Sequence, residues 1–134
     1  MKFWLVKSDS DTYSWDDFEK DKSTVWDAVR NFQARNYLKE MKVNDRVLFY
    51  HSIKEKTIVG LAKVSKEFFT DTTDSSGKWV AVELSVMNKL NTPLDLITIK
   101  KIPELQNIKL LTQQRLSVMP LTDDEFNKII QLSK

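Results

Sequence analysis

Residues 78–90 alternate in a way that only a strand satisfies. Val80, Val82, Leu84 and Val86 fall on one face, and Trp79, Ala81, Glu83 and Ser85 on the other. Asp74-Ser75-Ser76-Gly77 supplies the turn before it. Further runs rich in β-branched and aromatic residues predict strands over Phe3–Lys7, Arg46–Ser52 and Thr57–Phe69, with Gly60 marking a bend or a close approach. A short last strand is expected over Arg115–Met119, stopping at Pro120. Helices are brief. Ser14 caps one that opens Trp15-Asp16-Asp17. Ala34, Tyr37, Leu38 and Met41 share one helical face over residues 33–41. Thr122-Asp123-Asp124-Glu125 is a capping box ahead of Phe126, Ile129 and Ile130, and Thr92-Pro93-Leu94-Asp95 is read as the start of another short helix. Strands dominate without a βαβ rhythm. The pattern predicts an α+β domain on a curved antiparallel sheet, close to a small β-barrel with short peripheral helices.

Several chemistries are excluded early. The chain has 134 residues, which suits a single domain over 1–134. There is no cysteine and one histidine, His51, so neither a disulfide, nor a thiolate nucleophile, nor an ordinary metal site is expected. Only two glycines occur, which removes glycine-rich phosphate loops and the cofactors they hold. No apolar run nears the roughly 20 residues of a membrane helix, and the short apolar N-terminal stretch is no export signal; a cytoplasmic location is the expectation.

The net charge of +2 says little about partners. Its distribution says more: residues 9–21 are acidic, and residues 30–46 lean basic. Between them, Thr24 to Asn36 interleaves Trp26 and Phe32 with Asp27, Arg30, Asn31 and Arg35. Aromatic faces stack on bases, and Arg and Asn match base edges. The same residue types also suit a core Trp26 beside an Arg30–Asp27 ion pair, and composition does not separate the two. His51 and Ser52 are neighbours on a strand and point to opposite faces, which argues against a nucleophile–base dyad and for a hydrogen-bonded histidine or a pocket wall. Asp16 and Asp17 are accounted for by the helix N-terminus.

Taken in order, the blocks Trp4-Leu5-Val6-Lys7-Ser8, Val25 to Asn36, Val47 to Ser52, Ile58-Val59-Gly60, Gly77 to Val82 and Arg115 to Pro120 resemble the EVE domain, a PUA-like family related to YTH domains. The resemblance spans nearly the whole chain. It implies a PUA-like barrel and a nucleic-acid-binding module, not an enzyme, that flips a modified base, foremost a modified cytosine in DNA, into an aromatic-lined pocket. Trp26 matches a cage tryptophan. Lys7, Ser8, Arg30, Asn31, Tyr50, His51, Ser52 and Ser117 are implied pocket residues, and Arg35 and Arg115 phosphate contacts, with no metal and no cofactor. Two alternatives stand beside this: a modified-RNA reader, and a small nucleoside hydrolase like the ASCH relatives, with Lys7 assisted by Asp27 or Glu83. The sequence departs from the family at Asp9-Ser10, where Glu-Pro is usual, and at Ala28, where glycine is common.

Overall fold

The computed structural model describes residues 1–134. Six strands form one sheet: β1 (Phe3–Ser8), β2 (Ser23–Trp26), β3 (Arg46–His51), β4 (Thr57–Thr70), β5 (Val80–Asp95) and β6 (Val118–Leu121). Five helices sit around it: α1 (Trp15–Asp21), α2 (Phe32–Glu40), α3 (Leu96–Lys100), α4 (Lys109–Thr112) and α5 (Asp123–Leu132), with a 3-10 turn at Pro103–Leu105. The order across the sheet is β2-β5-β4-β3-β1-β6.

The α+β class and the curved sheet match the expectation, with two differences. First, β1 runs parallel to β3, with Leu5 opposite Leu48 and Lys7 opposite Tyr50. The chain between them passes through α1, β2 and α2, and so long a crossover permits parallel pairing where a hairpin would not. Second, β2 and β6 are the two edge strands and do not pair with each other, so the sheet does not close into a hydrogen-bonded barrel. The curl comes from β4 and β5, whose pairing shifts register at several bulges.

Local differences follow from the same geometry. β5 runs on through Pro93 to Asp95, where a helix start was expected; Pro93 lies where the register slips between Ile58 and Gly60, so its missing N–H breaks no regular ladder. Asp95 then caps α3, accepting a hydrogen bond from Thr98 N at 2.7 Å. The last strand begins later than expected and includes Pro120, opposite Trp4, which an edge strand tolerates. The Ser14 and Thr122 capping boxes both form.

The core is aromatic on one side. Trp15, Phe18 and Phe49 pack with ring centroids 5.4–5.5 Å apart. Asp45, buried, ties the start of β1 to β3: Trp4 Nε1 donates to it at 3.0 Å, and so does Lys42 N. Gly60 is a close approach, as the sequence suggested. A β-carbon there would stand 2.4 Å from the Trp15 ring, itself fully enclosed. Substituting Gly60→Ala must therefore displace Trp15. The expected loss is at least about 2 kcal/mol, measured as a fall in Tm of roughly 6–10 °C in calorimetry.

Candidate nucleic-acid interface

β2 is a four-residue edge strand paired to β5, with Trp26 opposite Val82. Its alternation turns Thr24 and Trp26 inward and Ser23 and Val25 outward. Phe49 meets Trp26 edge-on at 5.6 Å and Tyr13 edge-on at 6.4 Å, so the indole is braced from within and half-buried. The rest of it borders an open cleft of about 660 Å³. That volume is in the range of small-molecule pockets and accommodates a nucleobase.

One wall of the cleft is the end of β1 and the turn after it, from Lys7 to Tyr13; the other is Thr24 to Arg30; Ser117 stands at the floor before β6. The polar groups differ in how free they are. Ser8 Oγ donates to the Tyr13 carbonyl at 2.5 Å and so pins the turn. Tyr13 Oη donates to Asp21 at 2.8 Å. Lys7 Nζ donates to the Gln114 carbonyl at 2.7 Å and makes no ion pair, and burial pushes its ammonium below the ordinary lysine value. Ser117 contributes its backbone carbonyl to Lys7 N at 2.9 Å, while its hydroxyl has no protein partner.

The rim is fixed by one buried carboxylate that sequence reading missed. Asp71 Oδ2 accepts from Ala28 N at 2.8 Å and from Arg30 Nη1 at 3.0 Å; Oδ1 accepts from Thr73 N and Oγ1 at 2.8 and 2.6 Å. Burial alone would raise its pKa, but the Thr73 donors, the Arg30 guanidinium and the Ala28 N–H outweigh it and hold the pKa well below the usual carboxylate value. Arg30 thus pairs with Asp71, 41 residues away, and not with Asp27. Ala28 has φ 60°, the left-handed conformation glycine takes without strain.

Of the residues singled out from sequence, the structure brings Lys7, Ser8, Trp26, Asp27, Arg30 and Ser117 to this cleft. Six others lie elsewhere. His51 is buried: its Nε2 accepts from Trp15 N at 3.0 Å and its Nδ1 faces Glu55 at 3.2 Å, so it positions α1 and does not line the cleft. Asn31 spends its side chain as the N-cap of α2, accepting from Ala34 N at 2.9 Å. Tyr50 and Ser52 line a second cavity of about 450 Å³ that shares Lys7 and Ser117 with the first and adds Lys56 and Lys100. Arg115 is exposed beside Asn31 and Gln33. Arg35 stacks over Phe32 at 4.9 Å and donates to the Lys78 carbonyl at 3.2 Å. Tyr13 and Thr24 are cleft residues the sequence reading passed over, because β2 is too short to announce itself and residues 9–21 read chiefly as a run of acids.

This is the setting in which the comparisons with known proteins are decisive: a model of the EVE domain matches residues 2–132. The chain belongs to the EVE domain family. Human thymocyte nuclear protein 1 is 32% identical, over 98% of this chain and 73% of its own length. The structure of human THYN1 protein in complex with 5-methylcytosine-containing DNA superimposes with a TM-score of 0.96 at 32% identity, covering 100% of this chain and 98% of that one. The YTH domain of Zygosaccharomyces rouxii MRB1, solved with N6-methyladenosine RNA, shares the fold at 15% identity with a TM-score of 0.65, over 99% of this chain and 86% of that one.

Two expectations arise from the rim. Asp71→Ala removes the acceptor shared by the Ala28 and Thr73 N–H groups and the Arg30 guanidinium and should cost about 1–3 kcal/mol in denaturant unfolding. Because the folded pKa is depressed, the stability Asp71 contributes is fully present above the unfolded value of about 3.9 and is lost only as pH falls from there toward the lower folded value; wild-type stability measured from pH 7 to 5 should therefore show no loss from this group. Ala28→Gly should relieve the left-handed strain and raise stability by up to about 1 kcal/mol in the same assay.

Proposed function

We propose that this protein binds DNA carrying a modified cytosine, 5-methylcytosine foremost, and holds the extruded base in the cleft beside Trp26. The observation that carries this reading is the half-buried indole, braced by Phe49 and Tyr13 and open on the cleft side, in a chain that superimposes on a relative bound to 5-methylcytosine DNA. Energetics set what the cleft must do. Extruding a base costs a few kcal/mol, and stacking on an aromatic returns about 1–3 kcal/mol. Hydrogen bonds at the base edge supply the remainder, and the donors on the lining residues include the Ser117 hydroxyl and the remaining N–H groups of the Lys7 ammonium. The apolar ring surfaces of Trp26 and Tyr13 suit a methyl group, which is worth about 1–3 kcal/mol in discrimination.

The phosphates flanking the base fall to cations outside the cleft: Lys56 and Lys100, which share a cavity with Lys7, and the exposed Arg115 beside Gln114. No acidic side chain lines that second cavity. In this reading the domain acts as a non-catalytic reader. Lys7 serves as a donor, since its Nζ rests on a backbone carbonyl with no carboxylate bonded to it to draw a proton away. Of the two acids the hydrolase alternative names, Glu83 is bonded to Ser65 and faces Lys66, while Asp27 lines the same cleft as Lys7 without bonding to it. No helix is long and apolar enough to cross a membrane, and the single-domain, cytoplasmic expectation remains part of this proposal.

Fluorescence anisotropy on short DNA probes tests the reading. 5-Methylcytosine is expected to bind roughly 10-fold or more tightly than cytosine, with a log–log salt slope of about −2 to −4, and Trp26→Ala to weaken methylcytosine binding by about 5- to 150-fold. Equal affinity for both probes, or an undiminished Trp26→Ala, would contradict it.

A further inference from the structure

Outside the cleft, the surface holds an aromatic cluster that the core does not require. Phe32, first residue of α2, is 58% exposed. It packs on Trp79, the residue before β5, with ring centroids 5.0 Å apart and planes 31° from parallel. Two guanidiniums border the pair: Arg35 lies 4.9 Å from Phe32 and 6.0 Å from Trp79, and Arg30 lies 5.6 Å from Trp79. These distances form a compact triangle. Phe32 nonetheless stays more than half exposed beside Arg35, so much of its ring is open to solvent.

The charge around the cluster is positive and not fully neutralised. Arg30 is paired with Asp71, but Arg35 has no carboxylate partner, and neither has Lys78, whose carbonyl holds it. Arg35 Nε is enclosed without a hydrogen-bond partner, a donor given up to keep the guanidinium beside Phe32. Aromatic faces edged by arginine are what a nucleobase and its phosphate recognise together, with little regard to sequence. Arg30 also lines the cleft, so the cluster and the cleft are contiguous.

We propose that Phe32, flanked by Trp79, Arg30 and Arg35, is a second stacking site, which takes the unpaired base next to the one captured at Trp26. The proposal rests on the cleft reading above and extends it to strandedness. A neighbouring base that is still paired and stacked in a duplex is unavailable to Phe32. Single-stranded or locally opened DNA fills both sites and avoids the cost of extrusion.

The test uses single-stranded hexamers with one central 5-methylcytosine or cytosine, and versions in which each base beside it is replaced in turn by an abasic residue. Wild-type protein is expected to lose about 5- to 100-fold in affinity when one particular neighbour is removed. Phe32→Ala, a change at an exposed ring, should show that loss already on the intact hexamer and be indifferent to the abasic replacement, while Phe32→Trp keeps the wild-type pattern. If Phe32→Ala binds the intact hexamer like wild type, or stays equally sensitive to the missing neighbour, the second site is overturned. The two readings separate on one comparison. A wild-type preference for methylcytosine that persists in Phe32→Ala leaves the cleft standing whatever becomes of the second site; a wild type without that preference removes the cleft and this site with it.

Discussion

The edge-on contact of Trp26 with Phe49, at 5.6 Å and 80°, connects the interior of this protein to its surface. Phe49 lies at the centre of the buried aromatic group, against Trp15 and Phe18. An indole placed on a four-residue edge strand would otherwise be free to fold over its own backbone. Instead it is held by a ring that cannot move without disturbing the whole core, because interiors are packed as tightly as organic crystals. The conformational cost of ordering the stacking surface is met at folding, not at binding, and pre-organisation of that kind raises affinity without adding contacts.

The rest of the cleft depends on polar clamps of the same logic. Asp71 gathers donors from two separate segments and fixes the loop carrying Ala28 and Arg30. Ser8 secures the opposite wall through the Tyr13 carbonyl. His51 seats the first turn of α1 against β3. None of these three needs to touch a ligand, yet each decides where a ligand-facing group stands. The chain thereby keeps a few groups unspent, the Ser117 hydroxyl and one side of Trp26 among them.

How much of this was legible in the sequence depends on the range of each interaction. Alternation in β5 and the capping boxes at Ser14 and Thr122 are local, and the chain states them directly. The close approach at Gly60 was readable because a glycine inside a strand needs a reason, although its partner Trp15 was not. Parallel pairing of β1 with β3 is a choice between topologies, invisible to periodicity. The Arg30–Asp71 pair joins residues 41 apart, whereas Asp27 was the only acid close by in sequence. His51 and Asn31 were singled out for chemistry their positions suggested, and both turned out to satisfy backbone donors at helix N-termini. Polar residues beside a helix start serve the backbone first. The family resemblance pointed to Lys7, Ser8, Trp26, Arg30 and Ser117 among residues that the fold then dispersed, and only the fold distinguished lining groups from scaffolding.

The central claim is that one indole, and not merely this end of the molecule, receives the base. The chain has four tryptophans, of which Trp4 and Trp15 are fully enclosed. An NMR titration of the indole N–H signals with 5-methyl-2′-deoxycytidine reads the four separately and requires no duplex to open. The account predicts that the Trp26 signal shifts progressively and saturates, with Trp4 and Trp15 unmoved and deoxycytidine producing a weaker shift at matched concentration. A Trp26 signal that stays in place while the nucleoside perturbs other residues would contradict it.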